Sequence, residues 1–310
     1  MKISFIAFDS FGVKSSCTLV KTKDVVICID PGIAVETGSF PLPWSEKLRL
    51  RMKYEKEIKN AVKKSDVVII THYHYDHYMP EGNLYKDKAL LIKDPEKNIN
   101  QSQRERSSHF LGLVENKAKD IKIADRKKFR FGDTTVEFSK PLWHGMRATK
   151  LGKVLMVTID DGKNKLLFSS DIDGPYIENY SDLIIKKDPE IIILDGAPTY
   201  LLGFIMSFKN LKRAIKNTIK ILEKTNAKLY ILDHHLLRDY RYKELYYEVY
   251  EKARDANKRV CSAAEFIGKR PSVLEGYKEY GPTRWKEWEK LTTNKLNEII
   301  RHAKKVGESK

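Results

Sequence analysis

Residues 71–77 read Thr-His-Tyr-His-Tyr-Asp-His, which places three histidines and one aspartate within six consecutive positions. The chain has only eight histidines among 310 residues, and chance seldom gathers them so closely. Imidazole and carboxylate are the ligand types of zinc, and also of iron, manganese and cobalt. His72 and His74 stand two positions apart, so on an extended strand end they project the same way and can grip one cation. Asp76 and His77 follow as the chain turns, and they can face a second cation. Three neutral imidazoles packed against a carboxylate would be hard to satisfy without one. The motif directly follows the apolar run Val67–Thr71, and groups just past a buried strand are well placed for chemistry.

Further ligands are expected where other apolar runs stop. His144 ends Pro141-Leu142-Trp143-His144, Asp171 ends Phe168-Ser169-Ser170-Asp171, and His234 follows Leu232-Asp233. Taken singly, each has the ordinary alternative of a cap or turn residue. Taken with the cluster, they complete two metal sites.

With Asp30, in Ile29-Asp30-Pro31-Gly32, these pieces resemble the metallo-β-lactamase superfamily of metal-dependent hydrolases. The matching positions run from 30 to 235, about two thirds of the chain. The resemblance implies an α/β (α+β) fold, a four-layer αββα sandwich with the metals at one edge. It implies that His72, His74 and His144 hold the first metal, that Asp76, His77 and His234 hold the second, and that Asp171 bridges them. Asp30 would orient a ligand histidine by hydrogen bonding, with a plain turn residue as the alternative. His234 is preferred to His235 because Arg238 then stands four residues on, as in phosphodiesterase-like members. The best-known lactamases carry Cys where Asp171 stands, so antibiotic hydrolysis is not expected. An Asp bridge resembles the branches that cleave phosphodiesters, thioesters or lactones. Neither a large inserted domain, nor a flavodoxin domain, nor a Gly/Pro-rich tRNA-gripping arm is evident. The C-terminal part resembles an archaeal branch, which brings no substrate with it.

The composition agrees with a soluble globular chain. Hydrophobic residues make up 41% and charged residues 32%. Lysine supplies 43 of the 58 basic residues, and glutamine occurs only at Gln101 and Gln103, a trend of proteins from hot environments. Cys17, Cys28 and Cys261 form no CxxC, which fits a reducing cytoplasm. No apolar run approaches a membrane span, and the first one stops at Asp9, too soon for a signal peptide. The formal net charge of +16 favours anionic partners. The excess is spread along the chain: Lys97–Arg130 and Lys209–Lys228 each carry +6.

The elements that must position the cluster follow from apolar patterning. Ile3–Phe8, Thr18–Lys21, Val25–Asp30, Val67–Thr71 and Leu90–Lys93 read as strands. Ile121–Ala124, Lys128–Phe131, Thr135–Phe138, Val154–Ile159, Leu166–Ser169, Ile191–Leu194 and Leu229–Leu232 continue them. Gly132-Asp133 and Asp160-Asp161-Gly162 mark hairpins. Helices are expected at Ser45–Lys64, capped by Ser45 with a stripe from Leu48 and Met52 to Val62, within 97–117 after a loop, at Phe208–Glu223 and near Tyr240–Asp255. A charged helix at Thr283–Lys305 carries Trp285, Trp288 and Leu291. One domain spans 1–310, with 270–310 as a helical extension.

Two divalent metals, zinc first and manganese or iron as alternatives, would share a water, lower its pKa and stabilise the oxyanion of an ester under attack. Asp76 could also pass a proton. The positive surround favours a small anionic substrate, for which Arg104 and Arg106 in the segment Asn98–Arg106 and Arg238 are candidate binding residues. The competing readings are a nuclease acting on RNA or DNA, and a nucleic-acid or protein binding module with a vestigial metal site. The oligomeric state is left open.

Overall fold

A computed structural model describes residues 1–281. The expected helix at Thr283–Lys305, and with it most of the expected extension, lies outside the described residues. The first sheet runs β1 (Lys2–Phe8), β2 (Ser16–Lys21), β3 (Val26–Ile29), β4 (Val67–Ile70), β5 (Ala89–Ile92) and β6 (Asp120–Ile123) in that spatial order. Strands β1 to β3 form an antiparallel meander, and β3 to β6 are parallel. Parallel pairing needs a crossover, and helices α1 (Trp44–Lys64) and α2 (Gln101–Val114) supply two of them.

The second sheet is built from β7 (Lys128–Phe131), β8 (Thr134–Phe138), β11 (Val157–Asp160), β12 (Lys165–Phe168), β13 (Ile191–Asp195), β14 (Leu229–Asp233) and β15 (Arg259–Cys261), again in spatial order. A two-stranded ribbon of β9 (Leu142–Trp143) and β10 (Lys153–Val154) stands beside it. From β12 onward the strands are parallel, linked by α3 (Glu178–Lys187), α4 (Phe208–Lys224), and the pair α5 (Tyr242–Leu245) and α6 (Tyr247–Asp255). Short α7 (Ala263–Phe266) and α8 (Ser272–Tyr280) follow.

Strand alternation divides the apolar residues among three cores and so makes four layers. In β4, Val67 and Ile69 face the other sheet while Val68 and Ile70 face α1 and α2. In β13, Ile193 joins the inter-sheet core while Ile192 and Leu194 meet Leu211, Ala214 and Leu222 of α4. The expected αββα sandwich is the observed fold. Strands buried on both faces read as continuous apolar runs, which is why β4, β13 and β14 are plain in the sequence.

Several local expectations change. Helix α1 starts at Trp44 with no side-chain cap, and its Leu48 and Met52 face solvent; burial falls on Leu50, Ile58, Ala61 and Val62. The run Val154–Ile159 divides into β10 and β11, and the helix near Tyr240–Asp255 divides into α5 and α6. Asn100 caps α2 by accepting a hydrogen bond from Gln103 N, so the second half of Asn98–Arg106 is helix rather than loop. Among the described residues no helix is long and apolar enough to cross a membrane.

Candidate metal centre

Strands β1, β3, β4, β12, β13 and β14 end at one edge, and the polar residues that follow them converge there. Asp30 leaves β3 in a left-handed turn (φ 48°). Its carboxylate accepts from Thr71 N (2.8 Å) and Thr71 Oγ1 (2.6 Å), which clamps the start of the histidine motif. His77 N then donates to His74 O, closing the turn that separates the first two histidines from Asp76 and His77. Gly32 lies directly against that turn: a Cβ placed there would fall 2.1 Å from Tyr78 N and 2.2 Å from His77 N. Neither backbone atom can yield cheaply. Gly32→Ala is therefore expected to cost about 1–3 kcal/mol of stability, read as a lowered Tm, and to lower metal occupancy with it. An unchanged Tm would contradict this packing.

The structure brings together six of the eight histidines. The Nε2 atoms of His77, His144, His234 and His72 lie 3.0, 3.3, 3.3 and 3.6 Å from one oxygen, Oδ2 of Asp171. The ring of His74 stands 4.6 Å from that of His72 and 5.0 Å from that of His144. Among the described residues five groups of such donors have their atoms within 4.8 Å of one another, among them His72, His74, His144 and Asp171, and Asp76, His77 and His234.

The outer nitrogens explain why the inner ones converge. His77 Nδ1 is 2.9 Å from Asp30 Oδ2, and His234 Nδ1 is 2.6 Å from Asp9 Oδ2. His72 Nδ1 meets Thr71 Oγ1 at 3.2 Å, and His144 Nδ1 lies 3.5 Å from Asp173 Oδ1. The rings of His77, His234 and His72 are thus held from outside with Nε2 turned inward, the arrangement that a ligated imidazole requires, while His144 Nδ1 and Asp173 Oδ1 lie close without a hydrogen bond. The Nε2 atoms of His72 and His77 are buried without a hydrogen-bond partner. Unsatisfied buried nitrogens cost free energy, and a cation would satisfy them. The residues therefore fit divalent metals.

The charge balance in the metal-free protein is distorted accordingly. Burial opposes the imidazolium of His77, but Asp171 and Asp30 outweigh burial and lift its pKa to about 10. Burial dominates at His74 and lowers it to about 3, and burial likewise lowers His72. Burial pushes Asp171 upward, yet His77, His234 and His72 hold it well below the usual carboxylate range.

Residues 11–79 match the family model described as the metallo-β-lactamase superfamily. The UPF0282 protein of Korarchaeum cryptofilum is 41% identical over 278 residues, covering 89% of this chain and 92% of that protein. That of Methanocaldococcus jannaschii is 41% identical over 295 residues, covering 90% and 96%. This chain belongs to the UPF0282 family. Among solved structures, an isothiocyanate hydrolase from Delia radicum gut bacteria is 16% identical, with a TM-score of 0.51 over 80% of this chain and 94% of that one. CmlA, a diiron β-hydroxylase from Streptomyces venezuelae, is 13% identical with a TM-score of 0.50, over 81% and 51%. These likenesses establish the metallo-β-lactamase fold and nothing finer.

In this UPF0282 chain several residues stand elsewhere than expected of them. Arg238, a candidate for binding substrate, is buried: its Nε bonds Asp9 Oδ1 and its Nη1 donates to Tyr200 OH. Arg106 stacks over the Tyr75 ring at 4.8 Å, and exposed Arg104 donates to Glu96 O. Arg104 and Arg106 are engaged outside the cluster, whereas Arg238 Nη2 is buried without a hydrogen-bond partner, 3.8 Å from Asp76 Oδ2. Asp9 was read only as the end of an apolar run, yet it holds both His234 and Arg238. Asp173 and Asp195 form a second buried carboxylate pair in which Asp195 bonds His235 Nδ1 at 2.9 Å. His235 is thereby held on Asp195, while His234 Nε2 faces Asp171. Both histidines nevertheless reach Asp171 as a group. Gln103 was read as part of a loop, but it ties Tyr73 N to Leu151 O beneath the motif.

Proposed function

We propose that this chain is a metal-dependent hydrolase that holds two divalent cations, zinc first and manganese or iron as alternatives, and cleaves an anionic ester, a phosphodiester or a lactone. The observation that supports this best is the convergence of four imidazole Nε2 atoms on Asp171 Oδ2, with the rings of His72, His77 and His234 tethered from behind. His72, His74 and His144 would hold one cation, Asp76, His77 and His234 the other, and Asp171 would lie between. Such cations supply an activated water and polarise the ester oxygen. Thr71, Ser170, Asp9 and Asp30 fix the rings of His72, His234 and His77, so little reorganisation is left there for the reaction. Asp76 stands partly open to solvent, with Oδ2 3.8 Å from Arg238 Nη2, where it can pass a proton as well as ligate.

Elemental analysis of the purified chain beside a His74→Ala variant tests this, with bis(4-nitrophenyl) phosphate and a simple lactone as substrates. About two metals per chain, lost or halved in the variant together with hydrolysis, are expected. A wild-type protein that cannot be loaded with metal, and that folds like the variant, would overturn the reading.

The raised pKa of His77 makes a further demand. A group lifted to about 10 carries its proton at neutral pH in the metal-free protein and must release it to ligate. Metal uptake should therefore expel protons, and apparent affinity should rise about tenfold per pH unit for each proton released, up to about pH 10. Calorimetric titration in buffers of different ionisation enthalpy measures this. Uptake with no proton release at pH 7 would contradict it.

A further inference from the structure

Beside the centre, Gly145 follows His144, and a Cβ on it would meet Asp173 Oδ2 and the Tyr176 hydroxyl. Tyr176 thus touches the edge of the cluster. It also lines a groove of about 540 Å³ that carries Arg147, Arg213 and Lys216. A second groove of about 470 Å³ carries Arg126, Lys140, Lys153 and Lys186, and it shares Arg147, Ile177 and Asn179 with the first. The two are therefore contiguous, meeting at Arg147, three residues beyond His144.

The charge in these grooves is uncompensated. Arg126, Lys140, Arg147, Lys186, Arg213 and Lys216 are exposed, and among the described residues none of them makes an ion pair. The acidic groups on the walls, Glu178 and Asp182, are both engaged by Lys220, at 3.5 and 2.8 Å. Like charges held along a recess repel one another unless a polyanion neutralises them. A small diester carries one charge and cannot engage six cations. Repeating phosphates can. Trp143, half-buried beside Lys153, lines the same groove, and a flat apolar ring there suits unpaired bases rather than the stacked interior of a duplex.

We propose that the two grooves meeting at Arg147 bind the phosphate backbone of a single-stranded nucleic acid and lead it to the metal centre. This names the substrate class of the proposed hydrolase and rests on that reading for the cleavage, but the binding stands without it.

The test measures the anisotropy of a fluorescein-labelled 12-nucleotide poly(U) strand and of a duplex of equal length. It uses the full chain carrying His74→Ala, so that the strand is not cut. Adding Arg147→Glu and Lys186→Glu should weaken strand binding at least tenfold and reduce the salt dependence by about 1–2 units of log–log slope from about −4. Lys56→Glu with Lys63→Glu, on α1 in the outer layer of the other sheet, should change it less than threefold. Thermal unfolding verifies that all variants fold. Equal losses in the two charge-reversed pairs, no binding by the parent, preference for the duplex, or tighter binding of poly-Glu of similar length would each overturn the proposal. Metal content and bis(4-nitrophenyl) phosphate hydrolysis in the Arg147→Glu, Lys186→Glu pair, with His74 intact, separate the two readings. Hydrolysis retained in that pair while strand binding is lost supports the groove as a binding element apart from the centre, and hydrolysis by a parent chain that binds no strand removes the groove alone. Strand binding by a protein that takes up no metal removes the hydrolase alone.

Discussion

Asp171→Ala is expected to abolish metal binding at one position at least and to lower hydrolysis on the order of 10³-fold or more, the scale of losing a principal electrostatic group at a reacting centre. Among the described residues its Oδ2 is the oxygen that four inward-facing imidazole nitrogens share, at 3.0–3.6 Å, with Asp76 Oδ1 4.0 Å from His77 alone. Two cations brought together with neutral imidazoles alone would repel one another in a site shielded from water, where such repulsion is least screened. Asp171 also helps to lift His77, so in the metal-free variant the pKa of His77 should fall from about 10 toward its ordinary value, with Asp30 left as its carboxylate partner. Elemental analysis and histidine NMR titration measure the two effects separately. Full metal occupancy in Asp171→Ala would show that the carboxylate is not the shared ligand.

The parts of this centre that the sequence displays are those carried by local pattern. His72, His74, Asp76 and His77 sit on seven consecutive residues, and β4 before them is an uninterrupted apolar run. Asp171 and His234 follow similarly plain strands, β12 and β14. What the sequence conceals is pairing across the chain. Asp9 and His234 are 225 positions apart, and no periodicity links them. Arg238 looks like a helix-start surface charge until the fold places Asp9 beside it. Arg104 and Arg106 look like ligand groups in a polar stretch, but the Asn100 cap turns that stretch into α2 and spends both on local contacts. Helix α3 had no legible stripe in the sequence, because its burial rests on only Tyr180, Ser181 and Ile184.

The backbone carries the same division. Asp30, Ser170, Asp173 and His234 all take positive φ, between 48 and 59°, at the edge where the strands end. A non-glycine residue held so costs on the order of 1–3 kcal/mol and persists only where its surroundings impose it. Here the impositions are hydrogen bonds: Thr71 on Asp30, Asp195 on Asp173 N, and Asp233 on His234 N. Sharp exits from the strands aim the ligands inward, and cross-chain carboxylates hold the exits. Neither sharp exits nor their supports follow from propensity, so they become visible only with the fold.

Asp9→Leu should lower Tm by about 10 °C and metal occupancy as well, for two separable reasons. The variant leaves the Arg238 guanidinium buried without its principal anion, and breaking a buried pair from one side costs about 3–5 kcal/mol. It also releases His234 Nδ1, and loss of such a support commonly weakens metal binding about 10–100-fold. Pairing it with Arg238→Met removes the orphaned charge, so the double variant should recover most of the Tm while metal affinity stays low. Glu36 supplies a check on the electrostatics. Burial and then repulsion from Asp9 raise its pKa to about 8, against the pull of Arg238. Folded protein therefore keeps a proton that the unfolded chain loses above about pH 4.5, and this group makes stability fall as pH rises from 4.5 to 8. Without Asp9, the repulsion is gone and Arg238 keeps Glu36 Oε2 at 4.0 Å and Asp76 Oδ2 at 3.8 Å as its anions, so the fall should shrink in Asp9→Leu while burial still raises Glu36. Denaturant unfolding across that pH window, on the wild type, Asp9→Leu, Arg238→Met and the double variant, gives the coupling between Asp9 and Arg238 directly. A double variant no more stable than Asp9→Leu would show that the cost lies in lost packing and not in the stranded guanidinium.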